Sequence, residues 1–229
     1  MQDLSALQDS LGVAFRNTEL LQQALVHRSY LNENPSFELS HNERLEFLGD
    51  AVLELVVTEH LYGHYPNPEG ELTNWRAALV NATTLAAVSR EAGLEAYLYL
   101  SKGEGKDSNT KARNYILADA MEAMIGAIYL DQGYESAKQF VGERIISKLP
   151  DILEYKLYRD SKTAFQEAAQ EKLSETPTYH VVSESGPDHN KRFTVAVKIG
   201  AHEIAQGTGT SKQEAETAAA LAALEAKGW

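Results

Sequence analysis

Carboxylate side chains recur in one predicted helix, residues 41–55, at a spacing that gathers them on one face. At about 3.6 residues per turn, each residue advances by about 100°, so Glu46 and Asp50 fall within about 60° of Glu43. Five apolar residues in and just after this stretch fall on the opposite side, and they are Leu45, Leu48, Val52, Leu55 and Val56. The pattern predicts a helix that packs into a core by one face and presents three carboxylates with the other.

A second acidic pair lies in an otherwise apolar stretch, residues 116–130. Asp119 and Glu122 share one face of this predicted helix, and the apolar residues around them indicate that the helix is buried. Buried carboxylates are costly unless they are paired or bind a cation. Carboxylate oxygens suit Mg²⁺ or Mn²⁺, and the chain has no cysteine for a thiolate site. The two stretches together predict a divalent-metal site, and the alternative for either pair alone is a solvated acidic face.

The run Asn42–Asp50 resembles the signature of the ribonuclease III family, and residues 116–131 resemble that family's second acidic motif. The resemblance extends over nearly the whole chain. It implies an endonuclease in which a metal lowers the pKa of the attacking water, so that no serine, cysteine or histidine nucleophile is needed. It also implies four metal ligands, which are Glu46, Asp50, Asp119 and Glu122. Of these, Asp50 and Glu122 are expected to be catalytic.

The resemblance further implies the reaction, which is hydrolysis of phosphodiester bonds in double-stranded RNA with Mg²⁺ as cofactor and Mn²⁺ able to substitute. In the family, two sites of a homodimer each cut one strand and leave 5′-phosphates and short 3′ overhangs. Precursor ribosomal RNA and some messenger RNAs are the expected targets. Phe47, an aromatic residue on the acidic side of its helix, is expected at the dimer interface. Glu43 and Glu69 are expected to support the metal site.

Two other functions fit parts of this pattern. A non-catalytic double-stranded RNA-binding relative would keep the fold, but such proteins typically lose acids from the motif, and all four acids are present here. A small-molecule metal hydrolase with an accessory RNA-binding module is the other alternative, and only the C-terminal part of the chain argues against it.

The 229 residues have room for two modest domains, and the pattern changes near residue 154. The predicted architecture is an all-α endonuclease domain (1–153), a short charged linker (154–159) and a small α+β domain (160–229). In the last part a helix, three β-favouring runs and an alanine-rich helix follow one another. This α-β-β-β-α order resembles the double-stranded RNA-binding domain. Alternating apolar residues from Phe193 to Ile199 predict a strand with one buried face.

The predicted second domain contains residues that match the RNA-contacting positions of its family. They are Thr163, Gln166 and Glu167 on the first helix, Pro187, Asp188 and His189 in the loop after the first strand, and Ser211 and Lys212 at the start of the last helix. The resemblance implies that the first helix and the loop enter successive minor grooves, while Lys212 contacts phosphates across the major groove. Gln213 and Glu214 follow that lysine, so we predict a shallow salt dependence of RNA binding. The alternative is an interaction module that has lost RNA binding.

The formal net charge of −12 alone argues against nucleic-acid binding. Residues 1–153, however, hold 12 Lys and Arg against 22 Asp and Glu, whereas residues 154–229 hold 9 against 11, so the acid is concentrated in the part of the chain that carries the candidate metal site. No apolar run is long enough to cross a membrane, and the N-terminus lacks the pattern of a signal peptide. With no cysteine, these features predict a cytoplasmic protein without a membrane partner.

Overall fold

The two parts of the chain fold separately. The computed structural model describes residues 3–106, 110–155, 158, 161–187 and 191–229. The chain divides into two compact units, Met1–Tyr158 and Arg159–Trp229. The division falls at the end of the predicted linker 154–159, part of which lies outside the described residues.

The helices of the first unit are joined by loops and short 3-10 turns, and Val26 and Tyr99 form an isolated parallel bridge. Its α-helices are α1 (Ser5–Leu11), α2 (Thr18–Ala24), α3 (Arg28–Glu33), α4 (Glu43–His64), α5 (Glu69–Val80), α6 (Ala82–Glu91), α7 (Lys111–Gln132), α8 (Tyr134–Arg144) and α9 (Leu149–Glu154). Both acidic stretches are helical as predicted, since α4 carries the first and α7 the second. No helix among the described residues is long and apolar enough to cross a membrane.

Helices α4 and α7 cross in direct backbone contact at two glycines. A Cβ added to Gly49 would overlap the carbonyl oxygen of Glu122 and come within 2.9 Å of the Gly126 nitrogen. A Cβ added to Gly126 would in turn overlap the carbonyl oxygen of Leu45. Only glycine permits so close an approach, and it brings the acids of the two helices together.

The core of the first unit lies around these two helices, and it corrects one prediction. Leu53 and Val57 on α4 and Met121 on α7 are fully buried. Leu55, predicted to face the core, is instead 56% exposed. The buried face of α4 is turned towards Leu53 and Val57, so Leu55 lies at its solvent edge.

The second unit contains α10 (Ser161–Leu173), β1 (Thr178–Ser185), β2 (Arg192–Ile199), β3 (His202–Gly209) and α11 (Lys212–Lys227). The strands form one antiparallel sheet in the order β1-β2-β3. Its core joins Val195 and Val197 of β2, which lie on the predicted face, to Phe165 of α10 and the alanines of α11. The predicted fold class, an all-α domain followed by a small α+β domain, is confirmed.

Candidate metal centre and RNA-binding surface

Three of the four predicted metal ligands come together between α4 and α7. Glu46, Asp119 and Glu122 each offer a carboxylate oxygen, and these oxygens all lie within 4.8 Å of one another. All three side chains are half-buried. Sequence spacing placed each acid on a face of its own helix, and the α4–α7 crossing makes the two faces meet.

The fourth predicted ligand, Asp50, lies at the edge of this cluster. It is exposed, one helical turn after Glu46. Its charge raises the pKa of Glu46, and among the neighbouring charges it has the largest effect on the pKa of Glu122. Glu43 lies on the other border, where its charge raises the pKa of Asp119. All five acids therefore share one electrostatic environment.

Burial and mutual repulsion make these acids hard to ionise. Burial, followed by the charges of Asp50, Asp119 and Glu46, raises the pKa of Glu122 to about 8. Burial, followed by the charge of Glu43, raises the pKa of Asp119. Burial and the neighbouring carboxylates also raise the pKa of Glu46. A divalent cation between these side chains would compensate the repulsion, so the donor set fits a hard metal ion.

A cleft of about 390 Å³ opens on one side of the cluster. It is lined by His27, Arg28, Asn42, Glu43, Glu46 and Asp119. Sequence reasoning did not assign His27 to this wall. The imidazole Nδ1 of His27 accepts a hydrogen bond from the backbone N–H of Ser29, which fixes the ring at the start of α3. A ligand can reach the acids from solvent through this cleft.

Asn42 positions the start of α4 by tethering it to the end of α2 and to the segment that follows. Its backbone nitrogen donates to the carbonyl oxygen of Val26 at 2.9 Å. Its buried side-chain nitrogen donates to the carbonyl oxygen of Ala24 at 3.2 Å. These bonds hold the first turn of α4, which contains Glu43 and Glu46.

Glu69 lies away from the acid cluster within one chain. It starts α5, where its Oε1 accepts a hydrogen bond from the Thr73 hydroxyl at 3.0 Å. It lines a separate cavity of about 640 Å³ together with Tyr62 and Arg76. The cluster found among the described residues does not include Glu69. The role of Glu69 in supporting the metal site stays a prediction.

Phe47 belongs to an exposed apolar stripe on α4. The side chains of Phe47, Leu55 and Tyr62 are 80%, 56% and 85% exposed. Eight and seven residues separate them along α4, so the three side chains lie within about 80° of one another around the helix. Large apolar side chains exposed in a row are typical of a surface that another molecule covers.

The predicted RNA-contacting residues of the second unit lie on its surface where the structure describes them. Thr163, Gln166 and Glu167 are exposed along α10. Ser211 precedes α11, and its hydroxyl accepts a hydrogen bond from the Glu214 backbone. The exposed start of α11 also carries Lys212, and Pro187 lies in the loop after β1. Two of the predicted residues, Asp188 and His189, lie outside the described residues.

Comparisons with known proteins cover both units. A family model described as Ribonuclease-III-like matches residues 17–149, and one described as Double-stranded RNA binding motif matches residues 161–227. The ribonuclease 3 of Pelotomaculum thermopropionicum is 46% identical over 222 residues, which are 96% of this chain and 92% of that protein. The ribonuclease 3 of Streptococcus thermophilus is 44% identical over 225 residues, which are 97% of this chain and 96% of that protein.

Solved structures are similar to the first unit. The nuclease domain of ribonuclease III from Campylobacter jejuni matches with a TM-score of 0.58 and 39% sequence identity. The match covers 65% of this chain and 99% of that one. That structure is described in terms of flexibility in a region involved in dimer formation.

Proposed function

The chain belongs to the ribonuclease III family of endoribonucleases, and from this premise we propose that it hydrolyses double-stranded RNA at the acid cluster to 5′-phosphate products with short 3′ overhangs. The observation that carries the proposal is the convergence of Glu46, Asp119 and Glu122 in a chain that also contains a double-stranded RNA binding motif. The presence of every acid of the motif favours this reaction over a non-catalytic RNA-binding function.

Mg²⁺ is the proposed cofactor, with Mn²⁺ able to substitute. The proposed ligands are Glu46, Asp50, Asp119 and Glu122, of which Asp50 and Glu122 are the catalytic pair. When bound, the cation supplies positive charge at the phosphate and lowers the pKa of the attacking water. The raised pKa values of the half-buried acids support this assignment, because ionised carboxylates at this spacing need a compensating charge.

The carboxyl group of Glu122 couples cation binding to the release of a proton. With a pKa of about 8, Glu122 holds a proton on a carboxylate oxygen at neutral pH in the metal-free chain. It must release that proton before both oxygens can act as ligands, so binding of the cation is coupled to proton release. Glu43 faces the same cleft from the first turn of α4 and adds negative charge beside Asp119. Glu43 and Glu69 are proposed as supporting acids.

Cleavage of both strands requires two sites, and we assign them to a homodimer. An isologous interface buries the same patch on both subunits, and the exposed stripe of Phe47, Leu55 and Tyr62 supplies an apolar patch for it. Phe47 lies on the helix that carries Glu46 and Asp50, so this interface would fix the distance between the two acid clusters. Two sites at a fixed separation would produce staggered cuts and therefore overhangs.

The second unit is proposed to hold the duplex by its shape. Thr163, Gln166 and Glu167 on α10 would contact one minor groove, and the loop with Pro187, Asp188 and His189 the next. Lys212, with Ser211 before it, would contact phosphates of the intervening major groove. Precursor ribosomal RNA and some messenger RNAs in the cytoplasm are the proposed substrates.

Mapping of the product ends tests the proposed chemistry. A long RNA duplex is digested in Mg²⁺, and the products are ligated to adaptors with and without prior phosphatase treatment. We expect 5′ ends that ligate directly, 3′ hydroxyls and a uniform short 3′ overhang. Products with 5′ hydroxyls or with blunt ends would overturn the proposal.

A further inference from the structure

Two lysines of the second unit share one glutamate. On one side Glu184 Oε2 lies 3.2 Å from Lys191 Nζ, and on the other its Oε1 lies 3.6 Å from Lys212 Nζ. The hydrogen bond from Lys191 and the positive charges of both lysines lower the pKa of Glu184. The carboxylate is therefore ionised at neutral pH and neutralises part of the charge of both lysines.

The fold holds these three groups around one aromatic ring. Glu184 on β1 is the cross-strand neighbour of Phe193 on β2. The Nζ atoms of Lys191 and Lys212 both lie 5.8 Å from the centroid of the Phe193 ring. Phe193 in turn pairs with Gly209, the last residue of β3 before the turn into α11. The pairing of the sheet therefore brings the acid to the two cations.

We propose that Glu184 competes with RNA phosphates for Lys191 and Lys212 and so sets the affinity of this chain for duplex RNA. The inference rests on the proposed function, in which Lys212 contacts phosphate. A phosphate bound to Lys212 would lie near an ionised acid, because one oxygen of Glu184 is only 3.6 Å from the ammonium nitrogen. At about 0.1 M salt, charges within about 10 Å still repel one another. The cost of this repulsion is subtracted from the favourable free energy with which each lysine binds a phosphate.

Removal of the acid alone tests the competition. The full-length chain is titrated against a fluorescent 25-base-pair duplex in EDTA, which leaves the RNA intact, at several KCl concentrations. We expect Glu184→Gln to bind about 1.5- to fivefold more tightly at low salt, the range typical of exposed ion pairs. The slope of log K against log salt should steepen by up to about 0.9 for each additional phosphate that the two lysines neutralise.

Glu225→Gln is the matched control. It makes the same change of net charge at the other end of α11, about 20 Å along the helix from Lys212, where its effect on that lysine is screened. The gain in RNA affinity and the steepening of the salt slope must therefore both be larger for Glu184→Gln than for Glu225→Gln. Equal effects of the two variants would overturn the competition. So would weaker binding by Glu184→Gln, since that result means that the carboxylate orients the lysines for phosphate.

A double-mutant cycle identifies the lysine involved. Lys212→Gln should weaken binding more in the Glu184→Gln background than in the wild type, because only there is the ammonium free to bind phosphate fully. Equal losses in the two backgrounds would contradict the competition at Lys212. If the wild type binds duplex RNA but Lys212→Gln weakens binding equally in both backgrounds, only the competition is overturned and the proposed function is retained. If none of the chains binds duplex RNA, the RNA-binding part of the proposed function is overturned and this inference with it.

Discussion

Gly49 of α4 and Gly126 of α7 touch backbone to backbone, and a Cβ on Gly49 would lie 2.9 Å from the Gly126 nitrogen while overlapping the Glu122 carbonyl. This close approach sets the separation between the helix that carries Glu46 and the helix that carries Asp119 and Glu122. The chemistry of the acid cluster therefore depends on two residues that have no functional group.

A methyl group at this crossing should separate the helices. Gly49→Ala is expected to lower the free energy of unfolding by about 1–3 kcal/mol or more and to reduce cleavage of duplex RNA strongly. Gly142→Ala is the control, since a Cβ there has nothing within 4 Å and helical Gly→Ala is stabilising by about 0.5–1 kcal/mol. Urea denaturation and a cleavage assay measure the two effects. Wild-type stability and activity in Gly49→Ala would contradict the close packing.

The stability of the metal-free chain should fall as the pH rises. The pKa of Glu122 is raised from its ordinary value of 4.5 to about 8, and those of Glu46 and Asp119 shift in the same direction. The folded state therefore holds these protons more tightly than the unfolded chain, so their stabilisation is complete below about pH 4.5 and is lost through about pH 8. In EDTA we expect the Tm of the wild type to fall between about pH 5 and pH 8.

Glu122→Gln should flatten that pH profile, because the amide does not ionise. Mg²⁺ should raise the Tm of the wild type more at the upper end of this range than at the lower end, and should raise that of the variant less. Thermal unfolding followed by circular dichroism measures all four profiles. If the Tm of the wild type and that of the variant depend on pH in the same way in EDTA, the raised pKa of Glu122 is refuted.

Phe47 should control association of the subunits. Phe47→Asp places a charge in the exposed stripe of α4 and is expected to raise the dimer dissociation constant by at least about tenfold, as a truncated interface anchor does. Leu221→Asp, a similar change at an exposed leucine of α11, should leave it unchanged. Sedimentation equilibrium gives both constants. A Phe47→Asp dimer as tight as the wild type would remove this residue from the interface.

Glu69 is expected to support the metal site, although it is not part of the acid cluster in its own subunit. Glu69→Gln should raise the Mg²⁺ concentration for half-maximal cleavage by about tenfold, the lower end of the effect of outer-shell partners. Glu71→Gln is the matched control on the same first turn, where Glu71 accepts a hydrogen bond from Asn67. Identical Mg²⁺ titrations for the two variants would show that Glu69 has no such role.

The sequence predicted what depends on local periodicity. The positions of Glu46 on α4 and of Asp119 and Glu122 on α7 follow from helical spacing, and the buried face of β2 follows from the alternation of apolar residues. The meeting of the acids could not be predicted in this way, since it depends on Gly49 and Gly126, which are far apart in the chain. A glycine three or four residues from an acid in each motif is the signal that could have indicated the crossing.

Other features depended on tertiary packing in the same way. A helical projection puts Leu55 near Val52 and Val56 and so predicts a core position, but the packing against α7 turns the buried face towards Leu53 and Val57. The partner of Lys212 was also hidden from the sequence. Glu184 reaches that lysine only through the pairing of β1 with β2.

The acids of α4 and α7 are proposed to form a metal-dependent site for cutting double-stranded RNA. The most direct measurement is cleavage of a long perfect RNA duplex by the purified chain in Mg²⁺ or in EDTA, with Glu122→Gln beside the wild type and RNA binding measured in parallel. We predict cutting to short duplexes by the wild type in Mg²⁺ alone, and no cutting by a variant that still binds the duplex. Undiminished turnover by Glu122→Gln, or cleavage by the wild type in EDTA, would contradict the account.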